Sequence, residues 1–348
     1  MGPELLVEVT RGAYVESRHW GHAVVVDGEG RLVAAFGDPE HVTFLRSTLK
    51  PFQALAVVAS GAADRFGFDA ADIALMCGSH VGEPVHVRRA AGMLQKIGLG
   101  PEALACGVHA PVSAAARRAL REAGQEPTVL HNNCSGKHAG MLALARHRGW
   151  APEGYQHPEH PVQEELRRLV ARLTGLSPGP GGLIEATDGC GVVTFGMPLV
   201  AAARLFSLLA RPERLPEPLG PALARIRAAM VAHPEMVRGD GEFDTEVIRA
   251  TGGAWIGKVG AEGFYAAALA SGHALALKIA DGSDRARPVA VIAILRRLGL
   301  LPPGAGDLVA RWGRRPVRSV RGEVVGEIRP AGALAEAQPA GGDPGGEE

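Results

Sequence analysis

The 348-residue chain is 46% hydrophobic and 21% charged, with 37 basic residues balancing 37 acidic ones. Such values fit a soluble globular protein with an ample core, and zero formal charge gives nucleic acid or an anionic membrane no electrostatic hold. No apolar run reaches the roughly 18 residues of a membrane span, Met1-Gly2-Pro3-Glu4 is no signal peptide, and four cysteines make no disulfide framework, so a reducing cytoplasm is expected.

In chain order, residues 5–10 and 22–36 predict strands, the second stretch folding into a hairpin at Asp27-Gly28-Glu29-Gly30. A helical apolar pattern runs over 47–61 through Phe52, Leu55, Ala56 and Ala59. Pro51 is accepted there only within the first turn, which puts Ser47 at the helix start. Further helices are expected at 84–98, 113–123, 137–148, 159–174, 196–210 and 219–233. Strands return at 254–259, 263–269 and 273–280, before a last helix at 285–299. Strands at both ends and helices between imply an α+β fold. One antiparallel sheet is expected, mainly from 1–45 and 253–300, with the helical region 46–252 beside it. The expected organisation is a single domain over 1–330 and a disordered Ala-, Gly-, Pro- and Glu-rich tail over 331–348.

Lysine use points to chemistry. There are 5 lysines against 32 arginines, and four of the five sit in short reactive motifs. Arginine replaces lysine as a surface cation but not as a proton carrier, because only an ammonium is readily driven to the neutral amine. Lys96 reads as a helix-surface residue. Lys50 lies in Arg46-Ser47-Thr48-Leu49-Lys50, Lys137 in Asn132-Asn133-Cys134-Ser135-Gly136-Lys137, and Lys258 in Gly257-Lys258-Val259-Gly260; the fourth is Lys278. The only two asparagines, Asn132 and Asn133, fall in the same motifs.

In Ser47-x-x-Lys50 the two side chains share a helix face. A serine hydroxyl needs a base, and lysine serves only if its pKa falls by about 3 units from roughly 10.4. The plain alternative is an N-cap serine with a surface lysine. Cys77-Gly78-Ser79-His80 ends an apolar stretch in a small-residue turn able to present Ser79. Gly260 ends the Lys258 strand and would let a ligand near the backbone. Ser-x-x-Lys, then a loop serine, then Lys-x-Gly is the motif order of the serine β-lactamases and penicillin-binding proteins.

A third cluster combines His131-Asn132-Asn133-Cys134-Ser135-Gly136-Lys137-His138 with Asp188-Gly189-Cys190-Gly191. From spacing alone, Cys134, Cys190 and His138 are candidate zinc ligands; two buried apolar cysteines are the alternative. Asn133, Lys137 and Asp188 also offer the donor, cation and anion that would hold an amino acid.

Taken together, these motifs, with Lys258-Val-Gly-Ala-Glu-Gly263 and Lys278-Ile-Ala-Asp-Gly282, resemble the asparaginase II family, the rhizobial inducible, thermolabile-type L-asparaginases. The likeness spans about 5 to 300 and departs at Val193, where proline is expected. It implies a serine β-lactamase and glutaminase-like fold, a homodimer, and hydrolysis of L-asparagine to L-aspartate and ammonia. It implies two Ser–Lys tandems, Ser47 with Lys50 and Ser79 with Lys258, and a zinc site on Cys134, Lys137 and Cys190, replacing His138 by a neutral amine. Substrate contacts are expected from Arg46, His80, Asn133 and Asp188, with an oxyanion hole near Gly260 and Ala261. Competing readings are another Ser–Lys amidohydrolase, a glutaminase or β-lactam-reactive enzyme, and, from a different class, a zinc-responsive amino-acid-binding protein.

Overall fold

Strand-forming segments from opposite ends of the chain meet in one sheet. The computed structural model describes residues 1–335. The N-terminal strands are β1 (Glu4–Arg11), β2 (Tyr14–Val26), β3 (Leu32–Phe36) and β4 (Val42–Phe44). Two short strands follow in mid-chain, β5 (Ile184–Thr187) and β6 (Val193–Pro198). The later ones are β7 (Trp255–Val259), β8 (Phe264–Leu269), β9 (Ala274–Ile279), β10 (Arg315–Arg318) and β11 (Val324–Pro330).

The large sheet runs β10-β11-β1-β2-β9-β8-β7, with β3 also on β2. Every pairing is antiparallel. β2 is long enough to serve two neighbours on one edge: residues 14–21 pair with β1 and residues 23–26 with β3. Its other edge pairs with β9 through Gly21↔Ile279 to Val26↔Ala274. β7, β8 and β9 are almost wholly buried, so the sheet carries helices on both faces. Leu199–Ala210 packs on β2, β8 and β9, and Arg287–Arg297 on β1, β9 and β11. The architecture is α+β, as the chain-order pattern implies.

The structure departs from the expected elements in several places, among them the unexpected helices Ala70–Cys77 and Phe243–Ala250. The sheet does not stop near residue 300, because the β10–β11 hairpin extends it beyond β1. Residues 193–198 are strand, and the helix starts only at Leu199, since Val193-Thr194-Phe195 is β-branched and aromatic and Pro198 occupies the N-cap. The start of the expected tail is ordered: Ala331 N–H donates to Leu6 O at 2.9 Å, prolonging the β1–β11 ladder, and Leu334 is buried. The rest of the tail expectation, 336–348, lies outside the described residues. No helix among the described residues is long and apolar enough to cross a membrane.

A second sheet, β4-β6-β5, places the site. β4 and β5 both run antiparallel to β6, so their C-terminal ends emerge together. Arg46 follows one end and Asp188 the other.

Candidate active site

Ser47 stands on a 3₁₀ turn, Arg46–Leu49, that leads directly into the helix Lys50–Ala59, with Pro51 in its first turn. Arg46 adopts φ 51°, a left-handed conformation that costs a non-glycine residue energy and persists only where surroundings enforce it. Enforcement comes from Asp188, whose Oδ1 accepts from Arg46 Nε at 2.7 Å, and from Leu45 N–H donating to Phe195 O at 3.0 Å. Ser47 is half-buried.

Lys50 turns inward and is 1% exposed. Its Nζ donates to Gly78 O at 2.6 Å, Ser79 Oγ at 2.9 Å and Asn133 O at 3.2 Å. None of these bonds reaches Ser47, so the expected first tandem is joined through the Ser79 side instead. The long lysine stem carries the amine past the serine one turn before it, into a cradle of carbonyls from two other segments. Gly78, which ends the helix Ala70–Cys77, must be glycine: a Cβ there would lie 2.3 Å from Met236 O. Ser79 is pinned by its N–H to Val237 O at 2.8 Å and by Arg238 Nη1 to its carbonyl at 3.0 Å.

Lys258, on β7, is fully buried and donates to Ser79 Oγ at 2.9 Å and to Val259 O at 2.9 Å. Asp244 Oδ2 lies 3.9 Å from its ammonium and accepts from Val259 N–H at 2.8 Å. Asp244 sits in the first turn of the helix Phe243–Ala250, a segment to which the sequence reading gave neither a helix nor a role. A lone carboxylate with no neighbouring motif carries no sequence signal. Burial pushes the Lys258 ammonium well below its ordinary pKa; Asp244 opposes that and Lys50 adds to it. Burial also lowers Lys50; the Cys134 sulfur works against this and Lys137 with it.

Cys134, Lys137 and Cys190 converge. Lys137 Nζ donates to Cys190 Sγ at 2.9 Å, and Cys134 Sγ donates to Asn133 Oδ1 at 3.2 Å. The neighbouring Cys190, with Lys50 and Lys137, draws Cys134 well below the ordinary thiol range, while Cys134 and burial push Cys190 up. Burial alone would lower Lys137, but Cys190, Cys134 and Asp188 outweigh it and keep the ammonium charged. Among the described residues no group of three or more His, Cys, Asp or Glu gathers to hold a metal ion. Two sulfurs and an amine do fit a thiophilic cation, provided Lys137 yields its proton. His138, the alternative ligand from spacing, instead bonds Tyr155 Oη through Nδ1 at 2.5 Å.

The residues expected at the substrate separate. Arg46 and Asp188 are paired with each other, and Asn133 uses its carbonyl for Lys50 and its Oδ1 for Cys134 Sγ, at 3.2 Å. His80, expected at the substrate, has its side chain inside the protein. It is fully buried, bonded to Ser135 Oγ at 2.9 Å and stacked on His86 at 5.0 Å. Gly260 abuts the turn that carries Ser47, its Cβ position lying 2.8 Å from Leu45 O and 3.2 Å from Thr48 Cγ2. Among the described residues nothing accepts from the exposed Ala261 N–H.

Among solved structures the chain is similar to Mglu in its native form, with 13% identity and a TM-score of 0.46 over 83% of this chain and 66% of that one. It is also similar to a β-lactamase from Mycobacterium bovis, with 16% identity and a TM-score of 0.43 over 80% of this chain and 94% of that one. The chain thus spans just under two thirds of Mglu's length. No curated protein matches it. The L-asparaginase II family does match, over residues 7–330, a span that takes in every motif described above, and the chain belongs to that family of amidohydrolases.

Proposed function

We propose that the protein hydrolyses L-asparagine to L-aspartate and ammonia through an acyl-enzyme on Ser47. The observation that carries this reading is Ser79 Oγ held between two buried lysines, 2.9 Å from each, one of them three residues after the half-buried Ser47. Ser47 Oγ attacks the carboxamide carbon and its proton passes to the neutral Lys50 amine, which must swing from the Gly78 and Asn133 carbonyls to receive it. The proton passes through Ser79 to the departing nitrogen, the C–N bond breaks and ammonia leaves. Water then attacks the ester, gives its proton to Lys50, and aspartate is released with the Ser47 hydroxyl restored. Lys258 holds Ser79 and, as a neighbouring cation, disfavours a second charge on Lys50. The N–H groups of Ser47 and Ala261 receive the oxyanion, each such donor contributing about 100- to 1,000-fold.

Asp188 is assigned to the substrate ammonium and Arg46 to its α-carboxylate, their mutual pair opening as the zwitterion enters. Asn133 lines the same space. Cys134, Lys137 and Cys190 would hold zinc, which when bound supplies a fixed positive charge near the carboxylate end. We assign a homodimer on the family resemblance. The test is coupled ammonia release with L-asparagine and L-glutamine in parallel. Turnover of L-asparagine at ten times or more the rate of L-glutamine supports the reading. Preferential L-glutamine turnover makes the protein a glutaminase, and binding of either without ammonia release removes the enzyme assignment.

A further inference from the structure

Beyond Lys258 and the Ala261 N–H, the motif Lys258-Val-Gly-Ala-Glu-Gly263 has no part in the mechanism, and neither has Lys278-Ile-Ala-Asp-Gly282. They meet in the structure. Among the described residues only two non-glycine residues have positive φ, Arg46 at 51° and Glu262 at 59°. Both flank the same site, one in the nucleophile turn and one in the turn that follows β7. The two turns are in contact, since Gly260 lies against Leu45 and Thr48 with no room for a Cβ. Strained residues persist only where neighbours over-determine them. Arg46 has Asp188. Glu262 is held from the sheet: Lys278 Nζ, on β9, donates to its carbonyl oxygen. Arg287, 8% exposed at the start of the helix Arg287–Arg297, donates from Nη1 to Gly260 O at 2.6 Å and to Phe264 O at 3.4 Å. The turn also closes on itself, Gly260 N–H to Phe264 O at 2.9 Å, and Ile279 N–H reaches Gly263 O at 3.0 Å. Two cations thus clamp the carbonyls on either side of Ala261. With both carbonyls turned into the protein, the Ala261 N–H is left facing outward with no internal acceptor.

We infer that Lys278 and Arg287 are positioning residues for the reaction: they lock the Gly260–Gly263 turn in its strained form and so aim the Ala261 N–H at the developing oxyanion. This rests on the acyl-transfer reading above. The structural half of the claim, that the clamp fixes the turn, stands separately.

A positioning role for an oxyanion donor predicts loss in kcat rather than in KM. Lys278→Met should lower kcat by about tenfold or more with KM within about threefold, and Lys278→Arg, which retains a donor, should recover most of it. Arg287 is buried, so Arg287→Lys is the variant of choice, with a smaller fall in kcat of the same kind. Glycine takes positive φ without strain. Adding Glu262→Gly to Lys278→Met should therefore restore kcat at least about fivefold, which loss of a merely stabilising contact would not predict. Hydrogen exchange of the amides of residues 260–264 in the full chain reads the turn without any substrate, and should quicken in Lys278→Met while the rest of β7 and β8 stays protected. A protein inactive on L-asparagine but with this local exchange change would sink the reaction assigned above and leave the clamp standing. Unchanged exchange, unchanged kcat in Lys278→Met, or no rescue by Glu262→Gly would overturn the clamp.

Discussion

Lys50 and Lys258 approach one oxygen from two sides, each 2.9 Å from Ser79 Oγ, although 208 residues of chain separate them. Both are buried, and two ammonium ions sharing one hydroxyl away from water would repel each other strongly. Only Lys258 has a nearby carboxylate, Asp244 at 3.9 Å, whereas Lys50 faces carbonyl oxygens. The proposed reaction needs Lys50 as the amine, and Asp244 is the carboxylate that would keep Lys258 charged against its burial.

Ser47→Ala removes the proposed nucleophile and leaves the surrounding cradle intact. L-Asparagine turnover should fall by about 1,000-fold or more with the thermal midpoint unchanged. The check is ammonia release alongside a melting curve. Activity within tenfold of the parent would take Ser47 out of that role.

The pH dependence follows from the burial of Lys50 and Lys258, both pushed below the ordinary lysine range. A base works only when deprotonated, so kcat/KM should rise with pH through the lowered Lys50 pKa, well before roughly 10.4. Stability has the same sign. Between the lowered folded values and the unfolded value the unfolded chain binds more protons, so stability increases with pH across that window. Lys50→Arg keeps the charge, cannot act as base, and should abolish the rising limb together with activity. A pH–rate profile unchanged in Lys50→Arg would leave Lys50 without a proton-transfer role.

Asp244→Asn retains an acceptor for Val259 N–H but removes the counter-charge of Lys258. Breaking a buried pair costs about 3 kcal/mol at the low end, appropriate to the 3.9 Å separation. The shift should appear in the urea midpoint, and kcat should fall with it. A variant as stable and as active as the parent would show that Lys258 is already neutral and that Asp244 serves only the backbone.

Cys134→Ser with Cys190→Ser tests the sulfur cluster. If these residues and Lys137 bind zinc, metal uptake releases protons and strengthens as pH rises. Metal analysis of protein purified without chelators should find stoichiometric zinc in the parent and none in the double variant. L-Asparagine KM should rise more than kcat falls, because Lys137 of the cluster acts on Asp188, the residue assigned to the substrate ammonium. Zinc persisting in the double variant would place its ligands elsewhere.

Local sequence determined a good part of this protein. Hydrophobic periodicity marked β7, β8 and β9 and most of the helices, because a buried element writes its own period into the chain. Pro51 placed Ser47 at a helix start, and the scarcity of lysine drew attention to Lys50, Lys137, Lys258 and Lys278, of which Lys50, Lys137 and Lys258 are buried. Tertiary structure decided the rest, because those features depend on segments that meet only after folding. The β10–β11 hairpin joins the sheet through pairing with β1, at the far end of the chain, and its alternation is too short and too Arg-rich to stand out. Lys50 reaches Ser79 rather than Ser47 because the carbonyls that receive it belong to Gly78 and Asn133. His80 looks like a site residue beside Ser79, yet the fold turns it inward onto Ser135. Asp244 has no motif around it and acquires a partner only when its helix packs against β7. The sequence names residue types able to carry a proton; which of them face one another is a property of the packed core.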